Sequence, residues 1–98
     1  MTKPTAKATP LVDDEKVRAT RFDFEPGAET GWHRHEYDYV VTTLTPCTMR
    51  LEEPGGGERT VTFGAGEAYH RPEGVEHNVI NAGDAPMAFV EVEMKTGA

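Results

Sequence analysis

Three of the four histidines in this chain stand at positions from which they could bind a single metal ion. His33 and His35 are two residues apart, and side chains at i and i+2 point to the same face of a β-strand. His77 follows the Pro-Glu-Gly segment at 72–74, where a hairpin could fold it back beside the first two histidines. Because neutral imidazole is the commonest metal-binding side chain and suits iron, zinc, copper and nickel, the spacing predicts a metal site held by His33, His35 and His77.

Taken singly, each histidine also has an explanation that needs no metal. Two histidines on a strand can be polar surface, and His77 could be a hydrogen-bonded core residue. The glycines and prolines around them favour the metal site, because they form two regular frames. These frames are Gly27-x5-His33-x-His35 and Gly66-x5-Pro72-x-Gly74-x2-His77-x3-Asn81.

The two frames resemble the paired motifs of the cupin family. The second fits that family at every fixed position, whereas the first lacks its usual glutamate, because the usual spacing leads to Tyr39 and Val40. The resemblance covers about residues 17–94 and implies an all-β fold, a small jelly-roll (cupin) β-barrel or double-stranded β-helix. The segment "HRHEYDYVV" is also similar to short single-domain cupins labelled β-alanine degradation proteins, a label that suggests a pathway more than a reaction.

The resemblance also implies a cofactor and a kind of activity. Cupins with three histidines and one glutamate bind divalent metals, and members with three histidines alone include iron dioxygenases. We therefore expect one divalent metal ion, Fe or alternatively Zn, Ni or Mn, and a small-molecule substrate. Three neutral imidazoles leave the charge of the ion uncompensated, which favours an anionic or chelating ligand.

The expected function is a metal-dependent enzyme that acts on a small organic acid or carbonyl compound, with an iron dioxygenase as its most specific version. Two alternatives stay open. One is a non-redox lyase, isomerase or cyclase that uses the metal as a Lewis acid. The other is a cupin that binds a small molecule without turnover.

Two further residues are candidate catalytic groups. Tyr39 keeps the parity of His33 and His35, so its phenol could reach a ligand of the metal, or its ring could simply fill the barrel. His70 lies two residues before Pro72 and could act as a fourth ligand or a general base. The alternative for His70 is a side chain that faces outward or toward another subunit.

Composition excludes several classes of function. The chain has 17 acidic and 10 basic residues and a net charge of −7. This argues against nucleic-acid binding, which needs a basic surface, and against attraction to anionic membranes. The absence of serine excludes a Ser-His-Asp triad, and the single cysteine, Cys47, is expected to be an ordinary free thiol.

No apolar segment follows Met1, and no run is long enough to span a membrane, so we expect a cytoplasmic protein. A 98-residue chain fits one domain. Such a small domain gains stability from a partner surface, and we therefore expect a homodimer.

Strand patterns fill most of the chain. "VRATRFDFEP", "TMRLEE", "RTVTFG", "EHNVINA" and "MAFVEVEM" read as short strands, and "WHRHEYDYVVTTL" reads as one longer strand over 32–44. "PGGGE" reads as a hairpin loop. "MTKPTAKATP" has no apolar period, so residues 1–10 are expected to form a flexible tail and residues 11–98 a single domain. Strands at this interval favour a sandwich or barrel.

Overall fold

The computed structural model of the chain describes residues 4–95. Their secondary structure is almost entirely β. A short 3₁₀ turn at Pro54–Gly56 is the one helical segment among these residues, and it occupies the loop predicted from "PGGGE". The nine strands are β1 (Lys7–Asp13), β2 (Val17–Phe24), β3 (His33–Arg34), β4 (Asp38–Thr43), β5 (Cys47–Glu52), β6 (Glu58–Phe63), β7 (Ala68–Arg71), β8 (Glu76–Asn81) and β9 (Met87–Met94).

The strands form two antiparallel sheets. The five-stranded sheet has the order β1-β2-β9-β4-β7, and the four-stranded sheet has the order β3-β8-β5-β6. Neighbours in space are mostly distant in sequence, as in a jelly roll, where successive strands cross between sheets. The predicted all-β jelly roll, or double-stranded β-helix, is thereby confirmed.

The apolar core lies between the sheets and explains the alternation seen in the sequence. Phe24 of β2 and Phe89 of β9 are buried, with ring centroids 5.4 Å apart. Met49 and Leu51 face them from β5 of the other sheet and belong to the same buried cluster. Each fully buried side chain of this size contributes about 1.5–3 kcal/mol to folding, so these residues fix which face of each strand points inward.

A buried asparagine joins the two sequence frames. Asn81, at the end of β8, donates from Nδ2 to the carbonyl oxygens of Phe24 (3.2 Å) and Ala85 (2.9 Å). Its backbone carbonyl accepts from the N–H of Gly27 at 2.9 Å. Gly27 has φ +81°, a conformation that glycine adopts without strain. The loop that leads to His33 is thus fastened to the strand that carries His77.

The start of the chain corrects one expectation. Residues 7–10 were expected to belong to a flexible tail, but they open β1, an edge strand paired with β2 from Lys7↔Asp23 to Asp13↔Arg18. Backbone hydrogen bonds hold this strand in the sheet, and nearly all its side chains are exposed. The sequence therefore shows no alternation of apolar residues from which the strand could be predicted. Residues 1–3 of the predicted tail lie outside the described residues.

The predicted strand over 32–44 is also corrected. It is divided into β3 and β4 by a bend at Glu36 and Tyr37, and the two strands belong to different sheets. The bend sends the chain across the barrel directly after the two histidines.

No helix in residues 4–95 is long and apolar enough to cross a membrane.

Candidate metal centre

Strand pairing brings the distant histidine to the other two. His33 of β3 is the direct antiparallel partner of His77 of β8. His35, one residue beyond β3, is held by backbone hydrogen bonds in both directions, from its N–H to Val75 O and from Gly74 N–H to its own carbonyl, each 2.8 Å. Backbone pairing therefore holds the segments that carry the three histidines next to one another.

The expected hairpin at residues 72–74 takes a different form. This turn connects β7 to β8, and the two strands lie in different sheets and do not pair with each other. His77 reaches the site because the turn delivers β8 to the opposite sheet, where it pairs with β3. Gly74 has φ +90° within this crossing, which accounts for the glycine in the sequence frame.

The three imidazoles converge through their Nε2 atoms. Nε2 of His35 lies 3.0 Å from Nε2 of His33 and 3.1 Å from Nε2 of His77. The rings meet edge to face, with centroids 4.7–5.1 Å apart. His35 is 4 % exposed and His77 is 8 % exposed. The three histidines predicted as ligands are thus brought together.

Burial keeps two of these rings neutral. It lowers the pKa of His35 to about 4, with a further contribution from the nearby His33. Burial also lowers the pKa of His77 to about 3, and His33 and His35 add to this effect. At neutral pH these two rings are therefore uncharged, which is the form of histidine that binds a metal ion.

Hydrogen bonding orients the ring of His33. Its Nδ1 lies 2.8 Å from the carbonyl oxygen of Gly31. Because a carbonyl only accepts, Nδ1 carries the proton and Nε2 keeps its lone pair for the centre of the cluster. Metal-binding histidines commonly have such a backbone acceptor on the ring nitrogen that faces away from the metal.

The donor set fits a divalent metal ion. Nε2 of His35 lies 3.0–3.1 Å from the other two Nε2 atoms, which is within the reach of ligands that share one ion at metal–nitrogen distances of about 2.0–2.1 Å. His33, His35 and His77 would hold such an ion, and imidazole suits iron, zinc and nickel.

The cluster opens into a pocket of about 310 Å³. The pocket combines hydroxyl, charged and apolar side chains from both sheets. Its lining consists of Arg18, Thr20, Phe22, Thr30, His33, Arg34, His35, Val79, Phe89, Glu91 and Glu93.

Four charged lining residues were not predicted as site residues: Arg18, Arg34, Glu91 and Glu93. Glu91 and Glu93 come from β9, and the Oε1 of Glu91 lies 3.8 Å from Nε2 of His35. Burial, together with Glu93, raises the pKa of Glu91 to about 7. Arg18 of β2 binds Glu93 through two hydrogen bonds of 2.5 and 2.9 Å, and this carboxylate raises the pKa of the guanidinium. The available signal was that both glutamates share the strand phase of the inward-facing Phe89.

Tyr39 lies behind the cluster. Its ring stacks on His35 with centroids 3.8 Å apart and planes 18° apart, and it is 1 % exposed. Burial raises the pKa of its phenol, and the hydroxyl has no hydrogen-bond partner among residues 4–95. Tyr39 supports the ring of His35 and does not line the pocket, so a direct catalytic role for its phenol stays a prediction.

His70 points away from the pocket, which corrects its expected place in the catalytic site. It pairs with Val40 on β4, its side chain is 58 % exposed, and its Nε2 lies 3.7 Å from Asp38 Oδ2. Strand alternation is the reason, because the side chains of its neighbours Tyr69 and Arg71 are partly buried on the other face.

Comparisons with known proteins agree with this architecture. The family model of the Cupin domain matches residues 20–93. The Beta-alanine degradation protein BauB of Pseudomonas aeruginosa PAO1 is 52% identical over 93 residues, which is 95% of this chain and 97% of that protein. The crystal structure of a cupin domain from Bordetella pertussis Tohama I has a TM-score of 0.92 and 49% identity, and the match covers 98% of this chain and 99% of the other.

A longer relative shares part of its length with this chain. Oxalate decarboxylase OxdC of Bacillus subtilis 168 is 35% identical over 91 residues, which is 89% of this chain but 23% of that protein. The chain therefore spans about a quarter of the decarboxylase.

Proposed function

The chain belongs to the Cupin domain family, and on that premise we propose that it is a metal-dependent enzyme that acts on a small organic acid or carbonyl compound. The observation that carries the proposal is the convergence of three imidazoles beside a pocket, with Nε2 of His35 3.0 Å from Nε2 of His33 and 3.1 Å from Nε2 of His77. Three imidazoles so close together cannot all be satisfied by one another, because an Nε2–H of one ring can donate to only one neighbouring lone pair, whereas a divalent cation satisfies all three.

The names of two relatives support this class of substrate. The name of BauB refers to the degradation of β-alanine, a small organic acid, and the name of OxdC refers to the decarboxylation of oxalate, a small dicarboxylic acid. A pocket of about 310 Å³ is at the lower end of the range for small-molecule sites. Its size therefore supports a compact substrate.

The residues of the site would have two different roles, metal binding and substrate enclosure. His33, His35 and His77 would hold the ion, and the ion, when bound, would supply Lewis-acid activation of a chelated substrate and, if it is iron, a place for dioxygen. Phe22, Phe89 and Val79 line the pocket with apolar surface. Such surface displaces water from around a bound substrate and strengthens the polar contacts made there.

The test is a metal and oxygen comparison on one set of substrates. The full chain is loaded anaerobically with Fe²⁺, Zn²⁺, Ni²⁺ or Mn²⁺ and offered small carboxylic acids and carbonyl compounds, with and without oxygen. Turnover that requires Fe²⁺ and consumes oxygen is the expected result for the dioxygenase. Anaerobic turnover with Zn²⁺ would instead support the lyase, isomerase or cyclase.

The matched variants are His33→Ala and His70→Ala. Both remove one imidazole, but His70 is exposed and outside the pocket, so only His33→Ala is expected to abolish turnover and metal binding. Ligand binding without turnover under every condition would contradict the enzyme and favour the non-catalytic binding cupin.

The cytoplasmic location and the homodimer remain part of the proposal. The dimer is supported by large apolar side chains left exposed on the described surface, which a partner subunit would cover: Leu11, Val12, Trp32 and Leu44, exposed by 52, 45, 55 and 43 %. Sedimentation velocity on the full chain tests the dimer directly.

A further inference from the structure

The open side of the three-histidine cluster carries two carboxylates in different situations. Glu91 and Glu93 both line the pocket from β9. Arg18 occupies both oxygens of Glu93, with Nε 2.5 Å from Oε2 and Nη2 2.9 Å from Oε1. Such a two-point ion pair fixes the position of the carboxylate and offsets part of its charge. Glu93 is therefore a static part of the pocket wall.

Glu91 has no comparable partner. Within residues 4–95 its carboxylate forms no hydrogen bond, and its side chain is only 12 % exposed, with Nε2 of His35 at 3.8 Å. The oxygens of Glu91 are not among the fully buried side-chain atoms that lack a partner, so they are open to the pocket that Glu91 lines. A molecule that enters the pocket can therefore donate a hydrogen bond to this carboxylate.

Glu91 stands beside the histidine cluster and not within its donor set. The Nε2 atoms form one group of atoms within 4.8 Å of one another, whereas Glu91 belongs to a separate group with His35 and Glu93. Ligands of a single ion at about 2.1 Å lie at most about 4.2 Å apart. The position of Glu91 therefore suits contact with whatever binds at the open side.

Resting on the proposed function, we propose that Glu91 contacts the substrate and accepts a hydrogen bond from it. The site then selects a hydroxy acid, or a related compound that carries a donor next to its chelating oxygen. A simple carboxylate offers no donor and is repelled by the charge of Glu91.

The experiment compares two probes that differ by one hydroxyl group, acetate and glycolate. The full chain is loaded with Co²⁺ at pH 8, and the dissociation constant of each probe is measured from the visible spectrum of the cobalt. The variants are Glu91→Met, which removes charge and acceptor at similar volume, and Glu91→Gln, which removes the charge and keeps an acceptor oxygen. Glu25→Gln is the control, because it removes one carboxylate charge at an exposed position outside the pocket lining.

We expect acetate to bind about tenfold more tightly to both Glu91 variants than to the wild type, because one repelling charge is gone. The preference for glycolate over acetate should fall about tenfold in Glu91→Met, fall less in Glu91→Gln, and stay unchanged in Glu25→Gln. Affinities unchanged within twofold in Glu91→Met would overturn the inference.

Cobalt binding separates this inference from the proposed function. A wild-type chain that binds no Co²⁺ would overturn both. Normal cobalt binding with unchanged probe affinities would overturn only the role of Glu91. A hundredfold loss of cobalt affinity in Glu91→Gln would make Glu91 a ligand and overturn the substrate contact.

Discussion

Replacement of Asn81 by alanine should destabilise the protein strongly, although the residue lies outside the pocket. Its side chain is buried, donates to the carbonyls of Phe24 and Ala85, and accepts from the N–H of Gly83 at 3.0 Å. Ala85 is exposed, so water can replace that contact. The two remaining bonds contribute about 1 kcal/mol each, and the buried Phe24 carbonyl left without its donor adds a similar cost.

The expected loss is therefore about 2–3 kcal/mol in the free energy of unfolding, measured by urea titration with far-UV circular dichroism. For a domain of this size that corresponds to a fall in Tm of roughly 10–20 °C. A loss below about 1 kcal/mol would refute the reasoning, because it would mean that the buried hydrogen bonds of Asn81 contribute nothing measurable.

Asn81→Asp identifies which contacts matter. It retains an acceptor for Gly83 N–H but has no donor for Phe24 O, and its charge would face that carbonyl. We expect it to be at least as unstable as the alanine variant. Stability near the wild type would show that the contact with Gly83 alone accounts for the effect.

Three further predictions concern charge and burial. Arg18→Met leaves the carboxylate of Glu93 unpaired. Because the side chain of Arg18 is 41 % exposed and that of Glu93 is 8 % exposed, we expect the free energy of unfolding in a urea titration to fall by about 2 kcal/mol. An unchanged urea midpoint would argue against this prediction. Cys47 is 1 % exposed and burial raises its pKa, so iodoacetamide should modify it slowly in the native chain and readily in urea; equal rates would contradict its burial. In the presence of a chelator, the metal-free protein should lose stability as the pH falls from about 6.5 to 5. In the folded chain the pKa values of His35 and His77 are about 4 and 3, so over this interval only the unfolded chain takes up protons at these residues. A free energy of unfolding that rises as the pH falls would contradict this prediction.

The three histidines of the site could be predicted from the sequence because they lie next to turns whose backbone conformation requires glycine or proline. His33, His35 and His77 stand in frames of glycine and proline that mark bends, and the positive φ of Gly27 and Gly74 shows why those positions require glycine. The all-β fold followed from alternation, since the burial of β5 changes at every residue.

The other features of the site and the fold could not be predicted, because they depend on which strands pair in the folded protein, and no local sequence pattern shows this. Glu91 reaches His35 because β9 pairs with β4, and a glutamate on a terminal strand reads as surface when its neighbours are unknown. His70 was misplaced because a histidine near a motif looks functional, whereas its parity sends it outward. Edge strand β1 was missed because backbone hydrogen bonds to β2 stabilise it, and such bonds do not require an alternating pattern of apolar side chains.

The most direct test of the metal centre is the metal content of the untagged protein by mass spectrometry, beside the double variant His33→Ala/His77→Ala. We expect close to one divalent metal ion per wild-type chain and none in the variant. Iron would direct the search to oxygen-consuming reactions, and zinc, nickel or manganese to Lewis-acid chemistry. A wild-type protein that holds no metal, even after reconstitution with each ion, would contradict the three-histidine centre.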